Sequence, residues 1–102
     1  MNIKWSEPSI EDLEGIKDFI GRDSEFFANQ FVSRIFESVE KLLVFPNMGR
    51  VVPEFEDEKI RELIFQNYRI IYYLEEEIIY ILNIIHGARD VKKHGENEWE
   101  II

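Results

Sequence analysis

From residue 10 to residue 42 the apolar positions recur every three or four residues. From residue 60 to residue 86 they crowd into runs of β-branched and aromatic side chains, and this change of period divides the chain. The first segment, with Ile10, Leu13, Ile16, Phe19 and Ile20 on one stripe, predicts a helix. It follows "SEPS", where Ser6 or Ser9 can cap and Pro8 suits a first turn, and "GRD" (21–23) breaks it. A second helix opens at Asp23 or Ser24, with Phe27, Ala28, Phe31, Ile35, Val39 and Leu42 on its apolar face. A link this short predicts an antiparallel helix hairpin. "FPNMGR" (45–50) ends it with turn residues, and "VVPEFEDEK" is expected as an exposed loop. "NIKW" at the start reads as a short strand. "IRELIF" (60–65), "YRIIYYL" (68–74) and "IIYILNIIH" (78–86), separated by "QN" and "EEE", read as a three-stranded antiparallel meander. The expected fold is α+β: an N-terminal strand, a helix hairpin and a meander in one domain over residues 1–102, with both helices on one sheet face.

The first strand hairpin has a register that can be worked out. If Gln66 and Asn67 form a two-residue turn, Phe65 pairs with Tyr68, Ile64 with Arg69 and Glu62 with Ile71. Arg69 and Glu62 then share a face, and Arg61 lies on the other, opposite Tyr72. The second hairpin leaves two registers open. With Glu75 and Glu76 as its turn, Arg69 faces Leu82 and His86 joins the Arg69 face. With three residues in the turn, Arg69 faces Asn83 and His86 points away. A slip of one residue reverses every side chain.

Composition narrows the classes. The 102 residues are 45% hydrophobic and 14% aromatic, a folded composition with one core. The chain contains no cysteine, which excludes a disulfide framework and a thiolate metal site. Two histidines, His86 and His94, without organised carboxylate spacing fall short of a metal site, and no cofactor is expected. The N-terminus lacks a basic-then-apolar leader pattern, and no apolar run approaches the roughly 18 residues that span a bilayer, so no membrane association and a cytoplasmic location are expected. The net charge of −9 repels nucleic acid at long range and argues against direct DNA binding. Positive charge gathers locally at Arg61, Arg69, Arg89, Lys92 and Lys93.

Taken together in their order and spacing, "WSEPSIEDLEGI", "FPNMGR", "IRELIFQNYRIIYYL" and "IIHGARD" resemble the RelE/ParE toxin superfamily of bacterial type II toxin–antitoxin systems, known also as plasmid-stabilisation toxins. The resemblance implies a small growth-inhibiting toxin, held inactive by a cognate antitoxin that lays an extended or helical segment across it. RelE-like members look like ribosome-dependent mRNA endoribonucleases; ParE-like members share the fold, inhibit DNA gyrase and lack the ribonuclease residues. Cleavage through a ribose 2′-hydroxyl needs a base, an acid and cations for the phosphorane charge. By resemblance, Arg69 of "YRI" and Arg89 of "HGAR" match the family's arginines, with His86 as a candidate acid or base. Glu62, however, stands where RelE-like toxins resemble a lysine, and no tyrosine follows Arg89. Of the later candidates, His94 and Trp99, the indole cannot transfer a proton at neutral pH. Together with the acidic charge, these departures favour a ParE-like gyrase inhibitor. The alternatives are a metal-independent, RelE-like ribonuclease acting through Arg69, Arg89 and His86, and a degenerate toxin that retains only antitoxin binding.

Each candidate also has an ordinary structural reading. Arg69 can pair with Glu62 or another acid on the sheet face, and Arg61 can do the same on its outer strand. His86 can be a polar strand end, and Arg50 of "GR" can cap or bridge the loop after the helices. Antitoxin binding implies an exposed apolar patch, with Tyr73, Tyr80 and Trp99 as candidates alongside Arg50, Arg61 and Glu62 as partner or ligand contacts. The surroundings of Arg69 discriminate: an open cationic cleft favours an enzyme, an acid-lined one an inhibitor.

Overall fold

In the computed structural model of the chain, residues 1–87 are described. Strand β1 (Asn2–Trp5) leads into helices α1 (Glu7–Gly21) and α2 (Glu25–Glu40). A short 3-10 turn at Lys41–Leu43 follows, then β2 (Arg50–Val51), β3 (Ile60–Phe65), β4 (Tyr68–Leu74) and β5 (Ile78–His86). The strands form one sheet in the order β1-β5-β4-β3-β2. The expected α+β architecture is therefore present, with two additions. The N-terminal strand pairs parallel to β5, Asn2 opposite Ile78, and β2 extends the meander by pairing Arg50 with Glu62.

Local chemistry sets the helix starts. The hydroxyl of Ser6 accepts from the Ser9 amide at 3.1 Å, donates to the Leu82 carbonyl at 2.7 Å and is fully buried, so the cap of α1 also ties it to β5. Ser24 caps α2 by accepting from the Phe27 amide at 3.2 Å. Leu13, Phe31, Ile35, Val39 and Leu42 pack on Leu63, Ile70, Tyr72, Ile79, Ile81 and Ile84 to form the main core. The predicted stripe is longer than the core it serves. Phe19 and Phe27 are 65% and 59% exposed, because helical spacing sets a direction and not whether an element lies opposite.

The β3–β4 register agrees with the reasoning from sequence pair for pair, Phe65 with Tyr68 through Ile60 with Tyr73, around a turn in which Gln66 adopts φ 52°. Neither register considered for the second hairpin is correct. Glu75 receives no early turn: its amide donates to the Ile78 carbonyl, so Glu76 and Glu77 form the turn. A bulge then inserts Leu82 between the pairs Ile71–Asn83 and Tyr72–Ile81, so Arg69 faces Ile85 and Tyr68 faces His86. Asp12 of α1 reaches this bulge, accepting from the Ile84 amide at 2.9 Å and from the Asn83 side chain at 3.1 Å. The segment after β2 is not simply an exposed loop. Val52 is fully buried and joins Ile71, Leu82 and Ile85 in a second apolar cluster on the sheet face away from the helices, with Phe55 packed against it. Strand β5 is largely apolar because its side chains are buried on both faces of the sheet, not against the helices alone.

Candidate functional site

On the face away from the helices, four charged residues are threaded together. Glu62 of β3 and Arg69 of β4 are diagonal neighbours on one face, since Glu62 pairs with Ile71 and Arg69 with Ile64. Their side chains meet at 2.6 Å, Arg69 Nε donating to Glu62 Oε1. Arg50 of β2 sits opposite Glu62 in the ladder and donates from its Nε to the other carboxylate oxygen, Oε2. From the loop after β2, Glu54 meets the end of the Arg69 guanidinium with both oxygens, each bond 2.8 Å long. A positive φ of 52° at Glu56 helps fold this loop back over the sheet.

The order Arg50–Glu62–Arg69–Glu54 alternates in sign. Glu62 and Arg69 are 1% and 5% exposed, so neither charge rests in water. The two-toothed Glu54 contact is the largest influence holding the Arg69 guanidinium more firmly protonated than an ordinary arginine; burial opposes it and Glu62 adds to it. Chemically this is a filled anion site. The guanidinium edge that would grip a phosphate already grips carboxylates, and the phosphate would enter beside two negative charges.

A second construction holds the loop before β2. Tyr72 is fully buried on the helix side, accepts from the Gly49 amide at 2.9 Å and donates to the Pro46 carbonyl at 2.9 Å. Burial pushes its hydroxyl pKa up, against the Gly49 bond and the nearby Arg61 charge. Arg61 lies on the face predicted for it, opposite Tyr72, and donates to the carbonyls of Glu58 and Gly49, both at 2.9 Å.

The structure thus brings Arg69, Glu62 and Arg50 together and, among the described candidates, places Arg61 and His86 on the other face. His86 is exposed on the Tyr68 side of the sheet, its ring 6.1 Å from that of Tyr68, while Arg69 points to the opposite face. Tyr73 and Tyr80 are partly buried against the second cluster, 6.4 Å apart, so they are not freely exposed aromatics. A hydrogen bond with the Glu75 carboxylate is the main cause of the raised Tyr73 pKa. Arg89 and Trp99 lie outside the described residues, as do Lys92, Lys93 and His94. Among the described residues no group of three or more His, Cys, Asp or Glu side chains could hold a metal ion. Sequence reasoning missed Glu54 and Asp12. The signal for Glu54 was present in Val52 and Phe55, two apolar residues whose spacing implies that their loop folds back onto the sheet.

Comparison with known proteins places these features in context. A family model described as the ParE toxin of the type II toxin–antitoxin system parDE matches residues 3–91. Toxin RelE2 of Caulobacter vibrioides is 30% identical over 88 residues, covering 85% of this chain and 96% of that protein. A solved structure of the chromosomal ParDE toxin–antitoxin system from P. aeruginosa superimposes with a TM-score of 0.70 at 26% identity, covering 84% of this chain and 95% of that one.

Proposed function

The chain belongs to the ParE toxin family of type II toxin–antitoxin systems, with a cognate antitoxin as its partner, and from that premise we propose that it acts by binding and inhibiting DNA gyrase rather than by cutting RNA. The observation that carries this reading is the state of Arg69. A ribonuclease of this fold needs a cation able to meet the charge that develops on the phosphorane, placed close to an acid or base. Here the guanidinium is buried and closed by Glu62 and Glu54. His86 projects from the other side of the sheet, so the two cannot converge on one phosphate. The acidic surroundings of Arg69 are those expected of an inhibitor. The name of the RelE2 relative favours the ribonuclease reading, and the experiment therefore measures both activities.

Toxin freed of antitoxin is titrated into a supercoiling reaction with purified DNA gyrase and, separately, into programmed ribosomes whose mRNA ends are mapped. Lost supercoiling with intact mRNA is expected. Cuts in the ribosomal A site with unaffected gyrase would overturn the proposal in favour of the ribonuclease. A chain inert in both reactions that still binds its antitoxin would identify a degenerate toxin.

A further inference from the structure

The apolar loop between α2 and β2 is not used by the charged network. Leu43, Val44, Phe45 and Met48 all project into solvent, Val44 and Phe45 at 70% and 63% exposure. Exposed apolar side chains in such density carry an aggregation cost, which marks the surface as a contact site. The loop is also fixed in shape from below. The Tyr72 hydroxyl bridges the Gly49 amide and the Pro46 carbonyl, and Arg61 holds the Gly49 carbonyl. Within the loop, the Phe45 amide donates to Lys41 at 2.9 Å and the Met48 amide to Phe45 at 3.0 Å. Gly49 is packed so tightly that an added Cβ would lie 2.5 Å from the Glu62 carbonyl oxygen and 2.6 Å from the Tyr72 hydroxyl. Fixing a loop in advance removes most of the ordering cost of binding.

Charge at its base gives the loop a preference. The hydrogen bonds of Arg61 end on backbone carbonyls, so its charge is not cancelled by a carboxylate in those bonds. Arg50 is bound to Glu62 through Nε, yet its side chain is 63% exposed. In a chain of net charge −9, Arg61 leaves a cation at the base of the loop, whereas the Arg50 charge is met by Glu62.

We propose that residues 43–48 form a preorganised knob that docks into an apolar pocket, rimmed by carboxylates, on the folded protein the toxin inhibits. The inference rests on the reading above that the chain acts by binding. Side chains that project from a rigid loop need a concave, already folded partner. An antitoxin segment that folds onto the toxin needs instead a groove or sheet edge in which to lie, and this difference of shape assigns the loop to the target. Phe45 and Met48 are the anchor residues, with Arg61 steering approach.

The test uses the full-length variants Phe45→Glu and Met48→Glu, with Phe45→Leu as an apolar control and Phe45→Ser as the substitute should a glutamate variant fail to fold. Each is compared with the unaltered chain for growth arrest on induction, inhibition of purified gyrase, co-purification with the cognate antitoxin, and melting temperature. The glutamate variants should need at least ~10-fold more protein for half-inhibition and should not arrest growth. Antitoxin capture and melting temperature should hold, and Phe45→Leu, which keeps a smaller apolar side chain, should weaken inhibition less than Phe45→Glu. Folded glutamate variants that still arrest growth overturn the proposal, and loss of antitoxin capture with arrest intact gives the loop to the antitoxin instead. Should the unaltered chain arrest growth while sparing gyrase, the gyrase reading fails and the growth phenotype of the variants still decides the role of the loop. A chain that arrests nothing overturns both.

Discussion

Removing Arg69 separates a structural arginine from one held for a ligand. In Arg69→Ala, Glu62 keeps its bond to Arg50 but loses the 2.6 Å partner at Oε1, in a side chain with no exposed surface. Glu54, 22% exposed, can turn towards water and recover most of what it loses. The main cost therefore falls on Glu62. Breaking a buried pair from one side costs about 3–5 kcal/mol when the remaining charge is left without compensation; Arg50 still meets Glu62 here, so the lower end, about 3 kcal/mol, applies. That is a large share of the 5–15 kcal/mol total stability of an ordinary domain. With a urea slope of about 1.5 kcal/mol/M, typical of a small domain, the unfolding midpoint should fall by roughly 2 M. Far-UV circular dichroism across a urea series measures it directly. The double variant Arg69→Ala/Glu62→Gln should recover part of the loss, since a neutral amide needs no cation, with a coupling of about 1–3 kcal/mol. A loss below about 1 kcal/mol for Arg69→Ala, a value typical of exposed pairs, would refute the reasoning. It would mean that the arginine is loosely held and open to an anion.

The packing of Gly49 predicts that Gly49→Ala will destabilise the chain by about 1–3 kcal/mol through overpacking, read as a lower melting temperature; an unchanged melt would show that the loop can shift freely. Burial raises the Tyr72 pKa, so the native state favours the neutral phenol. The stabilisation is complete below the unfolded tyrosine value of about 10 and is lost as pH rises through the higher folded value. Absorbance titration at about 295 nm should therefore show a late phenolate component that Tyr72→Phe reduces and to which Tyr73 still contributes; loss of signal from the step near pH 10 instead would contradict a buried hydroxyl. Asp12→Ala leaves the Ile84 amide and the Asn83 side chain without that acceptor, at a cost of about 1–3 kcal/mol. Hydrogen exchange at Ile84 should accelerate, and exchange no faster than in the unaltered chain would show that Asp12 does not hold the bulge.

The fold was legible wherever one local rule decided. Capping chemistry located both helix starts to within a residue or two, and a two-residue turn at Gln66 and Asn67 determined the β3–β4 ladder completely. The second hairpin was illegible because two small events combine in it. The turn falls at Glu76 and Glu77 within a run of three glutamates, any two of which satisfy turn chemistry. The inserted Leu82 then reverses the alternation of β5, and an apolar residue in an apolar strand leaves no mark of such an insertion. That reversal alone carries His86 to the face opposite Arg69.

The charged network shows a similar divide. Register arithmetic put Glu62 beside Arg69, and the ladder from β2 added Arg50, but β2 pairs over only two residues, too few for a periodic signal. Glu54 arrives from a loop whose path depends on Val52 and Phe55 finding the sheet, a tertiary event. The consequence for function is asymmetric. A cation at position 62 would repel the Arg69 guanidinium beside it, where the carboxylate attracts it. A carboxylate there draws the guanidinium down, and Glu54 closes it from above. The carboxylate on β3 therefore shares Arg69 with Glu54 and also holds Arg50, whose side chain stays 63% exposed, so the four charges of this face balance in pairs.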